Sequence, residues 1–175
     1  MNHPPVLLRT LTDLRANTAS WYSEGLTVGM IPTMGALHDG HLALVEEARR
    51  RVDRVVATIF VNPTQFGPKE DFTAYPRTEA SDVAKLATLG VEAVFAPNAA
   101  EMYPPGHATT ISLAGPALGL ETDYRPHFFA GVATVVAKLL LGGFPDIAMF
   151  GEKDYQQLLV VRQLVKDLRI PTEIV

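Results

Sequence analysis

Val28-Gly29-Met30-Ile31-Pro32-Thr33-Met34-Gly35-Ala36-Leu37-His38-Asp39-Gly40-His41-Leu42 is the stretch that decides the fold. It runs from an apolar, β-branched segment through a glycine-punctuated turn to the start of a helix that carries Val45 and Ala48 on one face. Strand, turn and helix in that order open a βαβ unit, and in open α/β sheets the strand-to-helix turn is the ligand crevice. Further apolar runs at 55–61, 91–95 and 147–150 are continuous instead of alternating, as strands buried on both faces are. Helical spacing marks 41–51, 79–89, 132–141 and 155–168, the second stopped by Gly90 and the third by Gly142-Gly143. The predicted fold class is therefore α/β, a Rossmann-like open parallel sheet flanked by helices.

Working outward, 175 residues fit one domain. With 47% hydrophobic and 19% charged residues the chain has the composition of a packed globular protein. Its net charge of −4, without a run of like charges, argues against a nucleic-acid footprint. No run approaches the roughly 20 apolar residues of a membrane span, and the first residues lack a signal-peptide pattern, so a cytoplasmic location is expected. The absence of cysteine removes thiolate nucleophiles, thiolate-bound zinc and disulfides. Two long irregular stretches, 62–75 and 96–125, are rich in Pro and Gly, and loops of that length are commonly functional.

The chemistry concentrates in the turn. Gly35 and Gly40 stand at P-loop spacing, but His41 and Leu42 replace the Lys and Ser/Thr that hold phosphate and magnesium. No dinucleotide fingerprint is present either. Two histidines at i and i+3 share one side of the first helical turn, next to the backbone N–H groups that a helix N-terminus leaves unpaired, an arrangement suited to an anion that gains charge during reaction. A helix cap beside a surface histidine, or a zinc pair still needing a third ligand, are the competing readings.

Four segments in order carry a family resemblance. His38-Asp39-Gly40-His41 is similar to the HIGH signature of adenylyl-transferring enzymes, and residues 32–41 resemble the pantoate–β-alanine ligases (pantothenate synthetases) in particular. So do Ile59-Phe60-Val61-Asn62-Pro63-Thr64-Gln65-Phe66, then Tyr75-Pro76-Arg77-Thr78, then Phe150-Gly151-Glu152-Lys153-Asp154-Tyr155-Gln156-Gln157-Leu158.

The resemblance implies that pantoate and ATP, with magnesium (Mg2+), give pantoyl adenylate and pyrophosphate, and that β-alanine then displaces AMP. It implies an ATP loop of Met34, Gly35, Ala36, Leu37, His38, Asp39, Gly40 and His41, completed by Gly151, Glu152, Lys153 and Asp154. His41, His38 and Lys153 are the implied catalytic residues, acting at the phosphates. Gln65 and Gln157 would bind pantoate, with Gln65 also on the β-alanine path, and Asp82 would ligate metal, where relatives commonly carry two acidic residues. A homodimer is implied as well. The stretch 125–132 resembles one in which the family's histidine stands one position later, so His127 is given no role. The family's downstream Ser-Ser-Arg segment and lid domain are not in the chain, so residues 1–175 are expected to be the nucleotide- and pantoate-binding domain, truncated on its C-terminal side. The remaining alternatives are another HIGH-type enzyme, such as phosphopantetheine adenylyltransferase, or a non-catalytic nucleotide-binding module.

Overall fold

A computed structural model describes residues 3–175. The elements in chain order are β1 (Val6–Leu8), α1 (Leu11–Ser23), β2 (Val28–Ile31), α2 (Asp39–Arg49), β3 (Arg54–Thr58), α3 (Glu79–Thr88), β4 (Ala93–Phe95), α4 (Ala99–Met102), α5 (Glu121–Tyr124), α6 (Phe128–Gly143), β5 (Ile147–Ala148), α7 (Tyr155–Leu168) and β6 (Glu173–Ile174). All six strands are parallel, in the order β1-β4-β3-β2-β5-β6. The chain builds outward from β2 through β3 to β4, then returns to the other side of β2 for β5 and β6. The order therefore reverses between β2 and β5. A crevice opens there at the carboxyl ends of the strands.

The continuous apolar runs are explained by helices on both sides. On one face Leu14, Val132, Val136, Leu158 and Val161 from α1, α6 and α7 cover Met30, Val56 and Phe95. On the other, Val45, Ala48 and Leu86 from α2 and α3 cover Ile31, Val55 and Ala57. The predicted α/β class and parallel sheet are found. Helix α7 has the predicted ends, and the strands are shorter than their apolar runs.

Two features were illegible in the sequence. Strand β1 and helix α1 have no counterpart among the expected elements, because β1 is an edge strand with Val6 and Leu7 exposed and α1 buries only Leu14 and Thr18. The pair Gly142-Gly143 is not a stop signal. Both lie inside α6, where a Cβ would meet Leu11 Cδ2 or Met30 Cε at 2.6 Å. The helix instead ends at Phe144, in the left-handed conformation. The glycines let α1 and β2 approach the helix.

Candidate active site

A cavity of about 570 Å³ occupies the crevice between β2 and β5. Its two ends are built differently.

At the first end, the turn from β2 to α2 is held from within. Gly35 and Ala36 have φ of +83° and +51°. The left-handed region costs a non-glycine residue roughly 1–2 kcal/mol, so Ala36 needs outside support. Asp82, fully buried in α3, supplies it by accepting the N–H of Ala36 (2.8 Å) and of Leu37 (2.9 Å). The two histidines form a reciprocal cap: His38 Nδ1 accepts from the Gly40 N–H, and His41 Nδ1 accepts from the His38 N–H at 3.4 Å. Their ring centroids are 4.1 Å apart. With both Nδ1 atoms accepting, each neutral ring carries its proton on Nε2 and keeps one donor free of the cap. Burial, then the neighbouring His38, hold His41 below its ordinary pKa, outweighing Asp82 and Asp154. His41 is thus neutral at pH 7.

The expectation of unpaired amides holds only in part, because from Met34 to Leu42 the N–H groups of Met34 and Asp39 alone have no protein acceptor. The N–H groups of Gly35, Ala36, Leu37, His38, Gly40, His41 and Leu42 all have protein acceptors. An anion here is left the side-chain donors and the two unpaired amides of Met34 and Asp39. Lys153, on the turn that follows β5, supplies a charge on the same cavity wall.

The second end is an apolar floor with amides above it. Phe129, Val132, Val136 and Leu139 of α6 form the floor with Phe60 and Phe150. Above it Asn62 is the hub. Its Oδ1 accepts from Thr64 Oγ1 (2.9 Å) and from Tyr103 Oη (2.8 Å), a phenol kept protonated because burial raises its pKa. That assigns Asn62 Nδ2 as the donor to Gln65 Oε1 (2.9 Å) and to Gly131 O (3.2 Å). Gln65, buried, therefore keeps its own NH2 group for the cavity. Gly131 permits the arrangement, since a Cβ there would stand 2.6 Å from the Thr64 carbonyl oxygen. Gln157, in the first turn of α7, lines the same space.

A family profile described as pantoate-beta-alanine ligase matches residues 6–175. The chain belongs to the pantoate–β-alanine ligase family. A pantothenate synthetase of Rhodospirillum rubrum is 59% identical over 169 residues, which is 97% of this chain and 60% of that protein. The chain thus spans about 60% of the length of the curated relatives it matches. Among solved structures, a pantothenate synthetase from Thermus thermophilus superposes with a TM-score of 0.89 at 52% identity, covering 97% of this chain and 60% of that one. A pantoate-beta-alanine ligase from Francisella tularensis, complexed with beta-gamma ATP and beta-alanine, gives 0.92 at 38% identity, with coverage of 98% and 66%.

For this ligase-family chain, Met34, His38, His41, Gln65, Lys153, Asp154 and Gln157 all line the one cavity. Gly35, Ala36, Leu37, Asp39 and Gly40 form the turn behind the histidines, and Gly151 and Glu152 stand outside the cavity wall. Asp82 is not placed as a metal ligand. It is fully buried, and its oxygens serve two backbone amides and the Thr78 hydroxyl. Sequence reasoning missed Tyr103 and Gln156. Gln156 Nε2 donates to the carbonyls of Pro116 and Gly119, and its Oε1 accepts from the Glu121 N–H, so it fastens the 115–121 segment beside the cavity. Arg125, also on the wall, pairs with Glu70 and Glu121 and lies over the Phe128 ring at 4.1 Å. In the sequence it opens the family-like stretch 125–132, which gave it no role of its own.

Proposed function

We propose that this chain, as a single Rossmann-like domain, binds ATP and pantoate for a pantothenate synthetase. The reaction is the ATP-dependent condensation of pantoate with β-alanine through a pantoyl adenylate. The observation that carries the reading is one cavity with anion-facing donors at one end and amides over an apolar floor at the other. Pantoate is a hydroxy acid with a branched hydrocarbon centre. Its methyl groups suit the floor of Val132, Val136 and Leu139, and its oxygens suit the free NH2 of Gln65 and the amide of Gln157. Neutral amides leave the carboxylate nucleophilic.

In the first step a pantoate carboxylate oxygen attacks the α-phosphorus of ATP while the bond to pyrophosphate breaks. Negative charge grows on the departing oxygens. The Nε2–H groups of His38 and His41 and the Lys153 ammonium stabilise it most where it is greatest, which lowers the barrier instead of merely tightening binding. In the second step the β-alanine amine, reaching the acyl carbon past Gln65, forms the amide and expels AMP.

Magnesium enters with the nucleotide as part of the substrate. Among the described residues no cluster of three or more His, Asp or Glu forms a metal cage. Magnesium takes most of its ligands from phosphates and water; of the two carboxylates on the cavity wall, Glu121 is paired with Arg125, which leaves Asp154 for the ion. A cytoplasmic homodimer is the proposed working form. Among the described residues no helix is long and apolar enough to cross a membrane.

Calorimetry with ATP–magnesium and with pantoate, singly and together, tests the assignment. Each is expected to bind, and AMP release is expected to require β-alanine in a chain extended to the length of its relatives. Nucleotidyl transfer to a phosphate acceptor without pantoate binding would favour the phosphopantetheine adenylyltransferase alternative.

A further inference from the structure

The ATP loop depends on a helix that contributes nothing to the cavity wall. Two side chains of helix α3, Asp82 and Lys85, reach the loop, and its N-cap Thr78 braces Asp82. Asp82 accepts from the amides of Ala36 and Leu37, Thr78 Oγ1 donates to Asp82 Oδ2 at 2.9 Å, and Lys85 Nζ donates to the Leu37 carbonyl at 2.7 Å. Asp82 has 0% exposure, and none of the ion pairs among the described residues involves it. A buried carboxylate without a cation is tolerated only when its lone pairs are filled by donors. Here the donors are the two amides next to the strained turn. They are the link between the end of β2 and the cap that aligns both histidine rings.

We propose that Asp82, with Lys85 as a second strap, is a positioning residue: it holds Ala36 in its left-handed conformation and thereby sets the direction of the His38 and His41 donors. The proposal rests on the functional reading above only where ATP is the probe. Its logic is that of a carboxylate in a backbone nest, turned inward to shape a loop. An asparagine cannot replace the aspartate, because its NH2 group would face one of the two N–H groups.

The test is made on this chain with Asp82→Asn, with and without Ala36→Gly, followed by amide hydrogen exchange and ATP affinity. Exchange at Ala36 and Leu37 should quicken by at least about tenfold, as a local opening that leaves the core protected. ATP affinity should weaken by roughly tenfold, the scale of a lost hydrogen bond to a charged group. The loss should be equal with and without magnesium. Ala36→Gly removes the strain that the clamp opposes, so it should restore most of both losses. Unchanged exchange at the two amides would overturn the proposal, as would a loss confined to ATP–magnesium, which belongs to a metal ligand. Should Asp82→Asn not fold, Lys85→Met cuts the second strap without emptying the core. It should loosen the Leu37 amide by a smaller factor, and no loosening would overturn the proposal too. If the wild-type chain binds no ATP, the functional reading fails, while exchange and its reversal by Ala36→Gly still decide the clamp.

Discussion

The two ends of the cavity reach their order by opposite routes. The histidine end is local in sequence and open in space: His38 and His41 lie three residues apart, cap their own helix, and His38 and Lys153 are exposed. The glutamine end is distant in sequence and closed in space. Asn62, Tyr103, Gly131 and Gln157 come from four separate segments, and Gln65 is buried. Local order lets solvent reach groups that are proposed to handle charge. Long-range order fixes the polarity of the Asn62 and Gln65 amides, which are proposed to recognise shape and hydrogen bonds. A change at the first end should therefore alter chemistry more than binding, and a change at the second should alter binding more than chemistry.

The largest effect is expected at His41. In a chain extended to the length of its relatives, His41→Ala should slow pantoate-dependent pyrophosphate release by roughly 10²–10³, the scale for losing one preorganised donor at developing charge. ATP affinity should fall far less. Wild-type turnover in this variant would break the comparison at its stronger end.

The next effects belong to the amides. Gln65→Ala or Gln157→Ala leaves polar groups of pantoate unpaired in a largely apolar space, at a cost of about 1–3 kcal/mol. Calorimetry should find pantoate weakened by one to two orders of magnitude, with ATP binding retained. Loss of both ligands together would mean that the glutamines hold the fold.

This contrast also explains how much could be read from the sequence. The histidine end was legible because its spacing, glycines and helix start fall within fifteen residues, and Lys153 follows a readable strand. Gln65 and Gln157 were legible through motifs, but what orients Gln65 was not. Tyr103 lies in an irregular stretch 41 positions from Asn62, and no periodicity links them. Asp82 was read as a metal ligand because a sequence reports that a carboxylate exists and not which way it faces. Its true neighbours, Ala36 and Leu37, are 46 and 45 positions away. Gly142 and Gly143 misled for a related reason. The same residue type ends helices and admits close neighbours, and only the packing of Leu11 and Met30 decides between the two uses.

Gly131→Ala sharpens the comparison at moderate size. The added methyl would collide with backbone at Thr64, which cannot swing aside as a side chain would. Overpacking of this kind costs typically 1–3 kcal/mol. Thermal unfolding should register that loss, and pantoate affinity should fall with it because Asn62 and Gln65 sit on the displaced turn. Exchange at Ala36 and Leu37 should not change. Faster exchange there would mean that the two ends are coupled through the sheet.

The smallest effect concerns protons, and it separates the ends by kind. Asn62, Gln65 and Gln157 do not ionise, so they add no pH dependence of their own. His41 does. Burial and His38 hold its folded-state pKa below the ordinary value of about 6.5, with Lys153 acting in the same direction and Asp82 and Asp154 opposing. In the window between the folded value and the ordinary one, the unfolded chain binds more protons than the folded chain, so stability rises with pH. Above that window His41 is neutral in both states and its contribution is complete. As pH falls through the ordinary value the contribution declines, and it levels off once the folded ring is protonated as well. The slope is shallow, because the half-buried ring is partly screened by solvent. It should appear as the difference between wild type and His41→Gln in thermal unfolding measured at a series of pH values. That difference should be flat at pH 8 and shrink as pH falls below about 6.5, whereas Gln157→Leu should show no such trend. A difference that grew as pH fell would mean that the folded ring prefers its charged form, and the account of neutral Nε2–H donors at the histidine end would have to be abandoned.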